Sequence, residues 1–248
     1  IIGIEAYVAQ SSRHDRTPEA KSPYHMTLLA KNETGYRNLL ALSTKAHLEG
    51  YYYKPRMDKE ILELHHEGII ALSGCATSET SRYLLDGRFD EAVKAAQYYK
   101  QLFGDFYIEI MDAGIAEFEQ LRRDQIRLSQ ETGIPLVATN DVHYVNRDDA
   151  YYQDILLCIG TNATVQEENR FKMSGDQGAY HLRSEDDMRA LFPDHPEAID
   201  NTWQIAEMCD LELEFGRTRI PTAAIPTGST SDAHLEKLCR EGLEVRYP

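Results

Sequence analysis

Leu136-Val137-Ala138-Thr139-Asn140-Asp141-Val142-His143-Tyr144 is the stretch on which the reading of this chain turns. A short apolar run, set up by Gly133 and Pro135, predicts a buried strand that ends in Asn-Asp-x-His. In open or closed α/β sheets the chemistry collects at the carboxyl ends of strands, because loops there converge on one point. Alternation along an extended chain puts Asp141 and His143 on the same side. An Asp oxygen and a His nitrogen projecting together make a natural pair of metal ligands. The motif also reads as a helix cap followed by a packed or surface histidine, and taken alone it does not choose between the two.

Outward from this strand, two kinds of segment alternate. Strand-like runs are Ile1–Val8, Met26–Ala30, Gly68–Leu72, Tyr107–Ile110 and Leu136–Thr139. Between them, Tyr36 to Leu48, Phe89 to Leu102 and Glu117 to Thr132 carry apolar residues at the spacing of helices packed by one face. Gly50, Gly104 and Gly133 stand where left-handed C-caps are expected. The alternation predicts an α/β fold of β/α units around a parallel sheet or barrel. After Tyr151 the pattern changes. An amphipathic segment, Tyr151–Ile159, precedes the polar stretch Thr161–Gly178. Ser184 then reads as the N-cap of a helix, with Asp187 completing a variant capping box. Pro196–Cys209 is a further helix with the sole tryptophan, Trp203; Gly216 to Thr230 reads as an exposed connector, and His234–Tyr247 as a last helix.

Hydrophobic content of 42% and charged content of 27% are those of an ordinary globular protein. No apolar run approaches the length of a membrane span, so no membrane partner is expected and a cytoplasmic location is the default. Cys75, Cys158, Cys209 and Cys239 are widely spaced without a CxxC pair, which suits reduced thiols. A net charge of −15 argues against a broad nucleic-acid grip by this segment alone, while leaving room for a metal site where cations offset carboxylates. There is no Walker loop, GxGxxG or GxSxG. The chain opens directly on a strand-like run without Met and stops within a helical pattern, so it is expected to be a segment of a larger protein.

Glu5, His25, Cys75, Asp141 and His143 each sit at or near the end of a strand-like run. Singly, each has an ordinary explanation: a surface carboxylate, a histidine bonded to a carbonyl, a small buried thiol. Jointly they form a donor set suited to zinc or manganese, and hence to metal-assisted phosphoester hydrolysis. In Tyr51-Tyr52-Tyr53-Lys54-Pro55-Arg56, Lys54 and Arg56 are candidates to hold a phosphate and the tyrosines to stack on a base; a packed loop is the competing reading. His14 lies in a polar loop, His65 and His66 at a helix end, and His47, His181, His195 and His234 have no identifiable companions.

Ile1-Ile2-Gly3-Ile4-Glu5-Ala6-Tyr7, His25-Met26-Thr27-Leu28-Leu29-Ala30-Lys31-Asn32, Gly35-Tyr36-x-Asn38-Leu39, Tyr53-Lys54-Pro55-Arg56-Met57-Asp58, Leu72-Ser73-Gly74-Cys75 and Ala138-Thr139-Asn140-Asp141-Val142-His143-Tyr144 follow one another in an order that resembles the PHP (polymerase and histidinol phosphatase) domains of bacterial DNA polymerase III alpha subunits. The resemblance runs from the first residue to about Phe215, and Gly228 to Tyr247 resembles the entry into a polymerase region. It implies a distorted β/α barrel over residues 1–215, lacking its first strands, followed by a connector and the start of a polymerase region over 216–248. It also implies a cluster of divalent metal ions (zinc, manganese or iron) held by Glu5, His25, Cys75, Asp141 and His143, with Asp141 and His143 the catalytic candidates. Magnesium would serve the polymerase site, which is not within this segment. The implied activities are metal-dependent 3′–5′ exonuclease action here and DNA polymerisation in the parent protein.

The family's opening His-x-His strand, a following Asp and an Asp-His pair have no counterpart in this sequence, so metal binding by the segment alone is expected to be weak. Two further readings stand beside the enzyme. In one, the domain is a scaffold that stabilises the polymerase and docks a proofreading exonuclease or other replicative subunits, its acidic surface suiting a protein partner. In the other, it is a free-standing phosphatase of small phosphate esters.

Overall fold

The computed structural model describes residues 1–116, 118–173, 177–216, 218 and 220–247, the side chain of Gln177 excepted. In chain order the regular elements are β1 (Gly3–Val8), β2 (Tyr24–Ala30), α1 (Glu33–Leu48), β3 (Tyr51–Tyr52), β4 (Lys54–Met57), α2 (Lys59–Leu64), β5 (Ile69–Leu72), α3 (Glu79–Leu85), α4 (Phe89–Phe103), β6 (Phe106–Met111), α5 (Phe118–Thr132), β7 (Leu136–Thr139), α6 (Ala150–Thr161), α7 (Glu185–Leu191), α8 (Pro196–Met208) and α9 (Ser231–Arg246). They fall into two units, Ile1–Glu212 and Leu213–Pro248, the second of which holds α9. The expected helix start at Glu117 lies outside the described residues, as do parts of Thr161–Gly178 and of Gly216–Thr230.

Among the described residues the strands make one sheet in the order β3-β4-β1-β2-β5-β6-β7. The α/β class holds, and the pattern is that of a distorted β/α barrel with helices against the sheet. The sheet is mixed, however, rather than parallel throughout. β4 pairs parallel to β1, and β5, β6 and β7 run parallel to one another, but β2 is antiparallel to both β1 and β5. The connection from β1 to β2 explains the reversal. It holds only a short 3-10 turn, Glu19–Lys21, and no α-helix of the kind that usually joins parallel neighbours.

Alternation along the strands splits the interior in two. Ile69, Ala71, Ile108, Ile110, Leu136 and Ala138 join the main core with Leu39 and Leu42 of α1, Ala96 and Tyr99 of α4 and Leu128 of α5. The residues between them, Ile70, Leu72, Tyr107 and Val137, form a second cluster closed by Ile205 of α8. Each such aliphatic side chain contributes about 1.5–3 kcal/mol by leaving water. The helices begin where side chains satisfy the free N–H groups: Asn32, Asp58 and Ser78 cap α1, α2 and α3, and Ser184 and Asp187 make the expected capping box of α7. α2 and α3 are too short for helical periodicity to reveal, and β3 and β4 are a short antiparallel pair turning at Tyr53.

Gly104 and Gly133 take positive φ angles of 70° and 68° as helix-ending glycines. Gly50 serves a different need. A Cβ built on it would stand 1.9 Å from the Arg56 carbonyl oxygen and 3.0 Å from that of Ala46, so a side chain there would push β4 off the end of α1. Gly50→Ala should therefore lower unfolding free energy in denaturant titrations by about 1–3 kcal/mol, the usual range for overpacking. Gly160→Ala in α6, where nothing lies within 4 Å of the added carbon, should leave stability unchanged or raised.

Candidate functional site

The reversed strand decides where the candidate donors meet. Because β2 runs against β5, β6 and β7, its beginning lies at the rim where those strands end. His25, expected to precede β2, is its second residue and pairs with Tyr7 of β1. Its ring stands edge-on to that of Tyr7, with centroids 4.9 Å apart. Glu5, diagonal to it across the pair, places Oε1 2.8 Å from His25 Nδ1. From the end of β5, Cys75 brings Sγ to 3.8 Å from the same nitrogen. Gly74 makes that approach possible: its φ is +94°, and a Cβ there would stand 2.5 Å from the His25 carbonyl oxygen. Cys75 and Glu5 together favour the imidazolium and push the His25 pKa up to about 9. The hydrogen bond to His25 in turn lowers that of Glu5.

Asp141 and His143 follow β7, but not as an extended pair. The strand ends at Thr139, and Asp141 adopts φ +45°, in the left-handed region that Asp tolerates better than most residues. The turn folds His143 back, so that Nδ1 lies 2.6 Å from the Asp141 carbonyl oxygen and 3.8 Å from Oδ1. Since a carbonyl only accepts, Nδ1 carries the proton and a neutral His143 has its lone pair on Nε2. The His143 backbone N–H donates to the Tyr180 carbonyl, and the two rings meet edge to face at 5.6 Å. Burial raises the Asp141 pKa, opposed by the charge of His143.

Glu109 escapes the reading of the sequence. It is 3% exposed in the middle of β6, alternating with Ile108 and Ile110, which face the main core. Its carboxylate accepts from the Gly74 backbone N–H at 3.0 Å and from the Thr139 hydroxyl at 2.5 Å. It thus ties the turn before Cys75 to the strand end before Asp141. Burial pushes its pKa up to about 7, and the charges of Asp141 and Glu5 add to the rise. The available signal was a lone carboxylate inside the strand run Tyr107–Ile110.

Lys54 and Arg56 separate. Lys54 is exposed, with Nζ 5.2 Å over the Tyr7 ring, beside Glu5 and His25. Arg56 is fully buried, and its guanidinium donates to the carbonyls of Gly50, Ala20, Arg13 and Asp15. It braces the β1–β2 connection and presents nothing to a phosphate in solution. Arg13 completes the brace through Asp58, Glu49 and Glu60.

Residues 1–113 match the family described as the PHP domain. The whole chain is 44% identical to part of the DNA polymerase III subunit alpha of Borreliella burgdorferi, covering 22% of that protein. It is likewise 44% identical to the subunit of Treponema pallidum, covering 21%, and 40% identical to that of Thermus aquaticus, covering 21%. The chain thus spans about a fifth of the length of the curated relatives it matches. Among the described residues no helix is long and apolar enough to cross a membrane.

PHP domains are generally metal-dependent, and the donor types here (carboxylate, imidazole and thiol) suit a divalent transition metal. Their arrangement is less complete. Among the described residues no group of three or more His, Cys, Asp or Glu side chains is placed to hold an ion. The side chains stand instead as His25 between Glu5 and Cys75, and His143 beside Asp141.

Two pH measurements follow. In NMR titration with a chelator present, His25 should titrate near pH 9 and move toward 6.5 in Cys75→Ala. Its raised pKa stabilises the fold below pH 6.5, and that stability is lost as pH rises through 9. For Glu109 the unfolded chain ionises first, from pH 4.5, and the folded state only near 7, so the parent loses stability across that window. Glu109→Gln has no such proton to lose and should gain on the parent in unfolding free energy between pH 4.5 and 7.

Proposed function

We propose that this chain is the PHP portion of a DNA polymerase III alpha subunit, part of a replicative DNA polymerase, and that its rim is a metal-dependent phosphoesterase centre trimming DNA 3′–5′. The observation that carries the reading is the meeting of His25 with Glu5 and Cys75 at the strand ends that also bear Asp141 and His143. Donors outside this chain, which spans only part of its relatives, would complete the ligand set. A divalent ion such as zinc, manganese or iron, when bound, supplies a water of lowered pKa and offsets charge on the phosphoryl oxygens.

The chain's own groups have separable tasks. Glu5, His25, Cys75, Asp141 and His143 provide the donors. His143, with Nδ1–H fixed on the Asp141 carbonyl, offers Nε2 to a metal or proton. Lys54, exposed over the Tyr7 ring and near Glu5, is the cation available to attract a phosphate. In the complete protein, DNA, the other replicase subunits and a magnesium-dependent polymerase site are the expected partners and cofactors, in the cytoplasm.

One observation favours a second reading. The absence of a three-donor group among the described residues, on a chain of net charge −15, suits a scaffold that stabilises the polymerase and docks a proofreading exonuclease. The two are separated by Asp141→Ala in the complete protein. On a 3′-labelled DNA primer with manganese, the variant should lose metal-dependent trimming by at least about 100-fold, as removal of a metal-site group does. Trimming that persists at the parent's rate would leave the scaffold reading.

A further inference from the structure

Cys75, Asp141 and His143 also line a cavity of about 330 Å³ that reaches between the end of β6 and α5. Phosphoester chemistry at the rim gives no reason for a chamber of this character. Its walls include Met111, Ile115, Phe118, Leu121, Phe171 and Tyr180, which would repel a phosphate or a bound ion. Its volume is at the lower end of the range for cavities that hold small organic ligands. Polar groups stand both at the mouth and in the depth. Glu109 and Gln125, both buried, line it, Arg122 is paired with Asp112 in its wall, and the exposed Lys172 brings positive charge. The Gln125 amide can donate as well as accept.

A ligand matching this lining has flat apolar faces, a hydrogen-bonding edge and an attached anion that stays outside. We propose that the cavity takes the base of the terminal nucleotide of a DNA strand, with its phosphodiester lying over Cys75, Asp141 and His143. The proposal rests on the phosphoester reading and adds to it the group that positions the scissile bond. Aromatic faces such as Phe171 and Tyr180 accept any of the bases, so the pocket is tolerant of sequence. Lys172, at the mouth, attracts the backbone rather than the base.

Calorimetric titration of the complete protein, at one fixed manganese concentration, with 2′-deoxyadenosine 5′-monophosphate and with 2-deoxyribose 5-phosphate tests this. The nucleotide should bind at least about tenfold more tightly than the sugar phosphate, equivalent to about 1.4 kcal/mol. Ile115→Glu and Phe171→Ala, both at sites solvent reaches, should erase the difference while far-ultraviolet circular dichroism stays unchanged. Equal affinities in the parent, or a preference that survives both variants, would overturn the assignment. The primer assay separates the two readings. Trimming with equal affinities for nucleotide and sugar phosphate sinks the pocket alone; tighter nucleotide binding without trimming sinks the phosphoesterase and leaves the pocket.

Discussion

The direction of β2 is the constraint on which the site depends. In a sheet of co-directional strands, the start of every strand lies on the side opposite the loops that carry chemistry. A strand entered through a helix-free loop runs backwards, so its first residues arrive among its neighbours' last. His25 is delivered to the ends of β5 and β7 in this way, and Glu5 reaches it across the antiparallel pair. The loop that forces the reversal is itself held by buried ions. Arg56 gathers carbonyls from both of its ends, and Arg13 gathers three carboxylates. These cations serve the site without touching it.

Charge at the rim is balanced closely. Burial, with the charge of Glu5 adding, raises the proton affinity of Glu109 and Asp141, while His25 and His143 oppose the rise at Asp141 and His25 lowers that of Glu5. Such a cluster attracts cations, and without one it retains protons: His25 stays charged to about pH 9 and Glu109 is half-protonated near 7. A divalent ion entering would release these protons, coupling occupancy to pH.

Much of this could be read from the residues. The apolar runs located β1, β5, β6 and β7 to within a residue or so, since buried strands reveal themselves by composition. Glu5, His25, Cys75, Asp141 and His143 could be singled out because each follows or opens such a run. Strand direction could not be read in this way, because periodicity is the same forwards and backwards. Arg56 misled because a buried guanidinium satisfied by carbonyls has the same letter as one that meets a phosphate. Glu109 went unnoticed because inside a strand run a single carboxylate resembles an edge residue. Only the neighbouring Gly74 and Thr139, distant in sequence, reveal its task.

The rim is also assembled late along the chain. Glu5 lies on the first strand of the unit and His143 just beyond the last, with every other strand hydrogen-bonded between or beside them. Glu5, His25 and Cys75 can meet once β1, β2 and β5 have paired, whereas Asp141 and His143 join them only after β6 and β7 have been added to the sheet, at greater sequence separation. A chain emerging from the ribosome therefore holds the residues of the first group well before the last strand of the unit and the pair that follows it. A site that needed all five donors would then report completed folding, since its last two arrive beyond the final strand of the unit.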